Sequence, residues 1–230
     1  MGVVTLLWFL ANNRLFLEQR IKILSATHFI TSSSGIGNGF VQKDGKPLFE
    51  NTVPQGAAFL LSVYQHFGFN YPKFYKMDNL AKLGWLAAEI LLKDNFKREN
   101  YQAEWVGLVF ANKNSSLDDD IKYWESVKEI ASPSLFVYTL PNIVIGEICI
   151  RNGFKGEHTF FIQEKFDANF IVQQVNYLLD NDILDACICG WVDFLEKDFK
   201  AVLFLVEKKA NDLAMAFNAE NATSVFNLSA

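Results

Sequence analysis

Apolar residues along the chain fall into two patterns: short continuous runs, which are typical of buried strands, and runs at helical spacing. The clearest helical pattern covers residues 76–94, and Asp78 stands where it can cap the first turn. The apolar face of that helix comprises Leu80, Leu83, Ala87, Ile90 and Leu91. Further helices are predicted over residues 117–130, 142–151 and 167–179.

Strands are predicted between these helices, over residues 21–30, 105–111, 158–163, 183–194 and 199–209. The stretch 32–39 is rich in Ser and Gly, and we predict a flexible loop there. A phosphate cradle is rejected, because no helix starts directly after the glycines. Residues 43–46 carry a hairpin-turn signal. The tail after residue 210 is ambiguous, with a last short strand as one reading.

The ends of the helices carry recognisable signals. Ser116 or Asp118 caps the helix that begins at residue 117, Pro141 suits the first turn of the next helix, and Gly153 suits its end. The alternation of strands and helices predicts an α/β layered fold, with a mixed, mostly parallel sheet and helices on both faces. We expect residues 21–230 to form one domain, preceded by an N-terminal extension over residues 1–20.

The N-terminal extension contains an apolar run over residues 2–11. A run of that length is too short to span a bilayer, and it lacks the basic region and cleavage site of a secretory signal. We predict an extra strand or helix lying on the body. A peripheral membrane anchor is the alternative.

Charge and cysteine usage narrow the function classes. A net charge of −5 without a basic cluster argues against a nucleic-acid binder. Three cysteines do not make a disulfide framework, and they favour a reducing compartment, the cytoplasm. Cys187 and Cys189 would share one face of a buried strand, and the three His are too far apart in sequence to suggest a metal site. With 22 Phe, the apolar content fits either a well-filled core or a partner-facing surface.

Four segments, in this order along the chain, resemble the β-ketoacyl synthase branch of the thiolase fold. They are residues 21–39, the helix "YKMDNLAKLGWLAAEILLK", the segment "SPSLFVYTLPNIVIGEICIRNGFKG" and the strand "DNDILDACICGWVDF". The third segment is the most specific, because Pro141-Asn142 and the turn from Gly153 to Gly156 fall in register with the family pattern. The resemblance implies one half of the thiolase-like α/β/α fold.

Active members of that family carry a catalytic Cys where the next strand runs into a buried helix. Counting without gaps from Gly156 places that position on Lys165, with Gln163 and Glu164 beside it. No alignment brings one of the three cysteines there, and the family's two catalytic His belong to a second half that this sequence does not show. The resemblance therefore implies a subunit without catalytic residues, cofactor or metal. The three polar side chains should be paired or exposed, because burial without a partner is costly.

In type II systems of the family that this chain resembles, an active ketosynthase pairs with a ketosynthase-like subunit. This subunit, the chain-length factor, helps to shape the tunnel that holds the acyl chain. Half-length ketosynthase-like proteins of this kind resemble members of the gene sets for aryl polyene and flexirubin-type pigments. The resemblance implies a full-length ketosynthase as partner, with an acyl carrier protein reached through the complex, and no nucleic acid or membrane.

The same resemblance nominates partner-facing residues. The strand from residue 158 would pair with its counterpart in the partner, with Phe160 and Ile162 on one face and Phe161 on the other. The candidates for contact with the acyl chain are Phe136, Val137 and Tyr138. Ordinary packing within the body is the alternative for each of these residues.

Two other functions stay open at this point. One is a stand-alone homodimeric acyl-binding or scaffold protein. The other is an atypical acyl transferase built on Lys165, Glu164 and His158.

Overall fold

The computed structural model of the protein describes residues 28–37, 39–53, 55–210 and 214–229. The N-terminal extension and residues 21–27 of the first predicted strand lie outside the described residues. The strands are β1 (Phe29–Gly37), β2 (Phe40–Lys43), β3 (Lys46–Glu50), β4 (Val106–Asn112), β5 (His158–Ile162), β6 (Ala186–Leu195), β7 (Asp198–Glu207) and β8 (Met215–Ala216). The α-helices are α1 (Ala57–His66), α2 (Asn79–Leu92), α3 (Leu117–Val127), α4 (Pro133–Tyr138), α5 (Ile143–Asn152), α6 (Ala168–Asp180) and α7 (Ala219–Leu228).

The described strands form a single mixed sheet in the order β3-β2-β1-β7-β6-β4-β5, with β8 paired to the start of β1. Only the pairs β4–β5 and β4–β6 are parallel, and the other described pairs are antiparallel. The expectation of a mostly parallel sheet is therefore wrong. Tight turns join β2 to β3 and β6 to β7, and a connection of that length can join only antiparallel strands.

The β2–β3 turn confirms the hairpin signal at residues 43–46. Asp44 and Gly45 both have positive φ, at 50° and 72°. Positive φ at both central positions is the type I′ geometry that matches the twist of the flanking strands.

Helices cover both faces of the sheet, as expected. On one face α1, α2 and α5 pack over a core that includes Trp85, Leu108 and Phe110. On the other face α6 and α7 pack over a second core that includes Cys189 and Phe204. Alternate residues of the central strands supply the two cores, as the period of two in a strand requires.

The Ser-rich stretch after residue 31 is not a loop, which corrects the prediction from composition. It forms the buried middle of β1. The hydroxyl of Ser34 donates to the carbonyl oxygen of Ala87 at 2.9 Å, and that of Ser32 donates to Asp44 at 2.9 Å. Small side chains with satisfied hydroxyls let α2 lie close to the strand, so burial costs them little.

Helix α2 confirms the strongest prediction from periodicity. Asp78 caps it, and its carboxylate accepts hydrogen bonds from the backbone N–H of Leu80 at 3.1 Å and of Ala81 at 3.0 Å. Gly153 ends α5 in the left-handed conformation, also as predicted. In the part of the chain that the structure describes, no helix has the length and hydropathy needed to cross a bilayer.

Candidate functional site

The junction predicted to have lost its nucleophile lies at the C-terminal ends of the parallel strands. Gln163 follows β5 directly and donates its backbone N–H to the carbonyl oxygen of Asn112, at the end of β4, at 2.8 Å. β6 runs parallel to β4 on its other side. Sites in open α/β sheets form at this edge, so it is where chemistry would be expected.

Polar side chains at this edge hold the loop between β4 and α3. The side chain of Asn112 is fully buried; it accepts from the backbone N–H of Ser115 at 2.9 Å and donates to that residue's carbonyl oxygen at 2.8 Å. Asp193 on β6 accepts from the backbone N–H of Asn114 at 2.9 Å and from its side-chain amide at 2.7 Å. The side chains of Asn112 and Asp193 therefore use these hydrogen bonds to hold the loop in place.

Lys165, which the sequence resemblance assigns to the nucleophile position, is exposed and lies two residues before the N-cap of α6. The cap is Asp167, whose carboxylate accepts from the backbone N–H of Phe170 at 3.0 Å. Position 165 is therefore outside the helix, and a carboxylate already faces the positive end of the helix dipole.

The prediction that the polar set is paired or exposed is confirmed for two of its three members. Glu164 and Lys165 are exposed, whereas Gln163 is half-buried. Its side-chain Oε1 is buried and has no hydrogen-bond partner among the described residues. A buried oxygen without a hydrogen bond costs free energy of folding, so the side chain of Gln163 destabilises the end of β5.

Aromatic rings fill the interior side of the junction. Phe166 stacks on Phe226 of α7, with ring centroids 4.2 Å apart, and lies 6.4 Å from the ring of Trp191. The space under the junction is thus packed by side chains of this chain.

The thiols do not provide a substitute nucleophile. Cys187 and Cys189 lie on the same face of β6, as predicted, and burial raises the pKa of each. Burial also raises the pKa of Cys149 to about 11. A thiolate is the reactive form, so these thiols are inert near neutral pH. Among the described residues no group of three or more His, Cys, Asp or Glu could hold a metal ion.

His158 lies at the opposite end of β5 from the junction. At about 3.3 Å per residue, the strand separates it from Ile162 by roughly 13 Å. The structure therefore does not assemble the trio Lys165, Glu164 and His158 into one site.

The predicted alternation along β5 is present. Phe160 packs against the core under α2 and α5, while Phe161 meets the ring of Phe170 on α6 at 4.8 Å. Ile162 is 54% exposed. Of these three candidates for a partner contact, Ile162 has the largest free surface.

The other three candidates, those for contact with the acyl chain, lie on α4. Two of them are exposed and one is buried. Phe136 and Val137 are exposed, at 59% and 50%. Tyr138 is buried, and its hydroxyl donates to Glu147 Oε1 at 3.0 Å. Burial raises the pKa of Tyr138, with the neighbouring Glu147 adding to the shift. Tyr138 belongs to the body of the protein, since its side chain points inward from a short helix.

Sequence reasoning missed a feature of α3, which follows the junction loop. The helix was correctly predicted, with Ser116 at its N-cap position. Its buried residues are Asp118 and Asp119, however, and its apolar residues lie outside. Periodicity shows that a helix has two faces but not which of them is buried.

Comparison with known proteins gives matches in structure alone. No family model and no curated protein matches the sequence. A chain of the ishigamide ketosynthase/chain length factor superposes with a TM-score of 0.55 at 16% identity, covering 79% of this chain and 62% of that one. A chain of the ketosynthase ApeO in complex with its chain length factor ApeC, from Xenorhabdus doucetiae, gives 0.53 at 12% identity, with 80% of each chain covered.

A third similar structure is AntDE:AntF, a type II polyketide synthase acyl-carrier protein in complex with its ketosynthase bound to the hexaketide. The TM-score is 0.54 at 14% identity, covering 79% of this chain and 62% of that one. The chain has the ketosynthase fold. It spans less than two thirds of the matched ishigamide and AntDE:AntF chains.

Proposed function

We propose that the chain is a non-catalytic, ketosynthase-like subunit of the chain-length-factor type. It pairs with an active full-length β-ketoacyl synthase and helps to shape the acyl tunnel of that partner. By the resemblance in sequence, the product is a polyene or fatty-acid-type pigment chain of the aryl polyene or flexirubin kind. The pair works in the cytoplasm, where its free thiols stay reduced.

The nucleophile junction carries this proposal. The fold brings β5 into α6 as in a ketosynthase, yet position 165 holds an exposed lysine outside the helix. Acyl transfer through a thioester intermediate needs an activated nucleophile at that point. A chain that keeps the architecture without the nucleophile is suited to assist a catalyst.

The open edge of the sheet supports pairing with a second chain. Glu157 accepts at its carbonyl oxygen from the backbone N–H of Leu108 at 3.1 Å, and Gln163 donates to Asn112 at 2.8 Å. Backbone groups alternate in direction along a strand, so those of residues 158, 160 and 162 point away from β4. No described strand meets them, and an open edge of this kind is a template for a strand of another chain.

Two features bear on the acyl tunnel and on the partner. Phe136 and Val137 are exposed apolar side chains in the segment that resembles the tunnel-reaching part of the family. The similar structures are complexes of ketosynthases with a chain length factor or an acyl-carrier protein. We therefore propose a ketosynthase as the direct partner, with the carrier protein reached through the complex.

The substitution Ile162→Pro is expected to weaken pairing at least about tenfold, because it removes an N–H from the open edge without removing a bond to β4. The test co-expresses the chain with each full-length β-ketoacyl synthase encoded in the same genome. The dissociation constant of each pair that co-purifies is then measured by titration calorimetry.

Ile162→Thr is the matched control, because it shortens the same exposed side chain but keeps the backbone N–H. It should pair nearly as well as the unaltered chain. Equal affinity of the proline variant would show that β5 is not the pairing strand. The absence of any co-purifying ketosynthase would overturn the proposed function, and a chain that only self-associates would be the homodimeric scaffold.

Lys165→Ala is expected to change the free energy of unfolding by less than about 0.5 kcal/mol, because the side chain is exposed and has no ion-pair partner among the described residues. After incubation with an acyl thioester, intact-mass spectrometry should find both forms unmodified. An acyl adduct on Lys165, absent from the variant, would establish the acyl-transferase alternative instead.

A further inference from the structure

An apolar cleft, named here the α7 cleft, lies between helix α7, strand β8 and the neighbouring strands β1 and β2. Its volume is about 190 Å³, and Ile30, Ser33 and Gln42 line it from the sheet. The walls include Met215 of β8 and Leu228 of α7, which are 40% and 72% exposed. Small-molecule sites usually measure roughly 300–1,000 Å³, so a cleft of this size suits a few side chains of a polypeptide better than a cofactor.

The polar groups around the α7 cleft are already paired within the chain. Gln42 donates its side-chain amide to the carbonyl oxygen of Leu228 at 3.4 Å, and it also bonds to the hydroxyl of Ser229. At the rim, the carboxylate of Asp44 accepts from the backbone N–H of Ser33 at 2.7 Å. What the cleft offers to an occupant is therefore mainly apolar contact, and an exposed apolar cleft marks an interaction surface.

The chain itself supplies an apolar segment next to this cleft. Residues 1–27 lie outside the described residues, and within them residues 2–11 read GVVTLLWFLA, without a charged side chain. The first described residue is His28, whose carbonyl oxygen accepts from the backbone N–H of Phe217 at 2.7 Å. Two residues later, Ile30 already lines the cleft, opposite Met215 of β8. The segment before His28 therefore joins the described body at the edge of the cleft.

The connection is long enough to bring the apolar run back to the cleft. Residues 12–27 join the run to His28 and span up to roughly 50 Å when extended. A tethered segment meets its site at an effective concentration in the millimolar range, so even weak apolar contact keeps it bound. Each large apolar side chain that is buried contributes roughly 1.5–3 kcal/mol. The large apolar side chains at the centre of the run are Leu6, Leu7, Trp8, Phe9 and Leu10.

We infer that the α7 cleft is the docking site of the chain's own apolar run over residues 2–11. Met215 and Leu228 contact the run from the walls of the cleft, and the unbranched side chain of Met215 adapts to the shape of what it meets. The docking is independent of the proposed function, because every contact it needs lies within one chain. A run held in the cleft is also withdrawn from lipid, so the docking excludes the alternative of a peripheral membrane anchor.

A spin label beside the α7 cleft tests for the run in the full chain. Asn227 on α7 is exposed and does not line the cleft, so Asn227→Cys places a nitroxide next to it. The natural thiols compete little, because two are buried and burial raises the pKa of Cys149 to about 11. In the chain labelled with 5-fluorotryptophan, the nitroxide should abolish the ¹⁹F resonance of Trp8 by broadening. Trp8→Phe identifies that resonance.

Two further variants make the test specific. A nitroxide on Ile150→Cys should leave the Trp8 resonance sharp, because Ile150 is 65% exposed on α5, which packs on the opposite face of the sheet. Leu228→Asp places a charge in the wall of the cleft, and burying that charge under an apolar run is costly. In the chain labelled at position 227, Leu228→Asp should therefore restore the Trp8 resonance, while its circular dichroism spectrum stays that of the parent chain.

Every other outcome overturns the inference, and the outcomes differ from one another. A Trp8 resonance that stays sharp beside the label at position 227 shows that the run lies elsewhere. If that resonance is then lost on addition of phosphatidylcholine vesicles, the run is a membrane anchor. Broadening that persists in Leu228→Asp places the run near α7 but outside the cleft. Broadening of a fluorinated chain by a spin-labelled chain without fluorine assigns the occupant to a second copy.

Discussion

Replacing Gly190 by alanine is expected to remove about 3–5 kcal/mol from the free energy of unfolding, which is a large part of the stability of a typical domain. Gly190 lies in β6 with φ of +142°, and an added Cβ would lie 2.1 Å from the carbonyl oxygen of Val202 in β7. Urea unfolding followed by far-ultraviolet circular dichroism measures the loss. Both the strained backbone and the contact with a fixed strand act in the same direction.

Gly45→Ala separates the two causes. Gly45 also has a positive φ, of 72°, but an added Cβ would find no atom within 4 Å. That variant should cost only about 1 kcal/mol, from backbone strain. Equal losses in the two variants would show that the approach of β7 to Gly190 contributes nothing.

Stability is expected to fall as pH rises from about 5 to 8, by about 2 kcal/mol, because of the carboxyl of Asp78. Burial raises the pKa of Asp78 to about 7 and that of Asp119 to about 6. Between the ordinary carboxyl pKa near 4 and these values, the folded chain holds protons that the unfolded chain has released. Lowering the pH through this window therefore favours the folded state, and above pH 7 the contribution is lost.

Asp78→Asn tests this assignment, because an asparagine oxygen can still accept from the N–H groups of Leu80 and Ala81. The variant should be more stable than the unaltered chain at pH 8, and the difference should shrink as the pH falls and vanish only near pH 4, where the unfolded chain also keeps its proton. Asp78→Ala is the control for the cap itself and should be about 1 kcal/mol less stable than Asp78→Asn at every pH. A pH profile identical in the Asn variant and the unaltered chain would exclude Asp78 as the titrating group.

Local signals in the sequence predicted the elements whose ends are chemically marked. Each of these signals acts on its own stretch of backbone, so a few neighbouring residues in the sequence are enough to place it. The examples are Asp78, Gly153 and the Asp44-Gly45 turn. The position of Lys165 at a strand-to-helix junction followed from counting along the chain, and the structure places it there.

The errors arise where distant residues decide the outcome. Ser32 and Ser34 look like loop residues until the fold supplies acceptors for their hydroxyls, from Asp44 and from α2 respectively. The inversion of α3 depends on Asn79 and on the backbone of Glu196, which lies 78 residues away from Asp118. The place of the tail depends on contacts that are distant in sequence, since α7 is held by packing such as that of Phe226 on Phe166.

The cap formed by Asp167 has a consequence for the engineering of this chain. A cysteine introduced at position 165 would stand in solvent, ahead of the helix, with a carboxylate between it and the nearest helix N–H groups. Its thiol would keep an ordinary or raised affinity for its proton, since the carboxylate of Asp167 disfavours a thiolate nearby. A cysteine at position 165 would therefore lack the activation that thioester chemistry requires, and the local backbone would have to be rebuilt first.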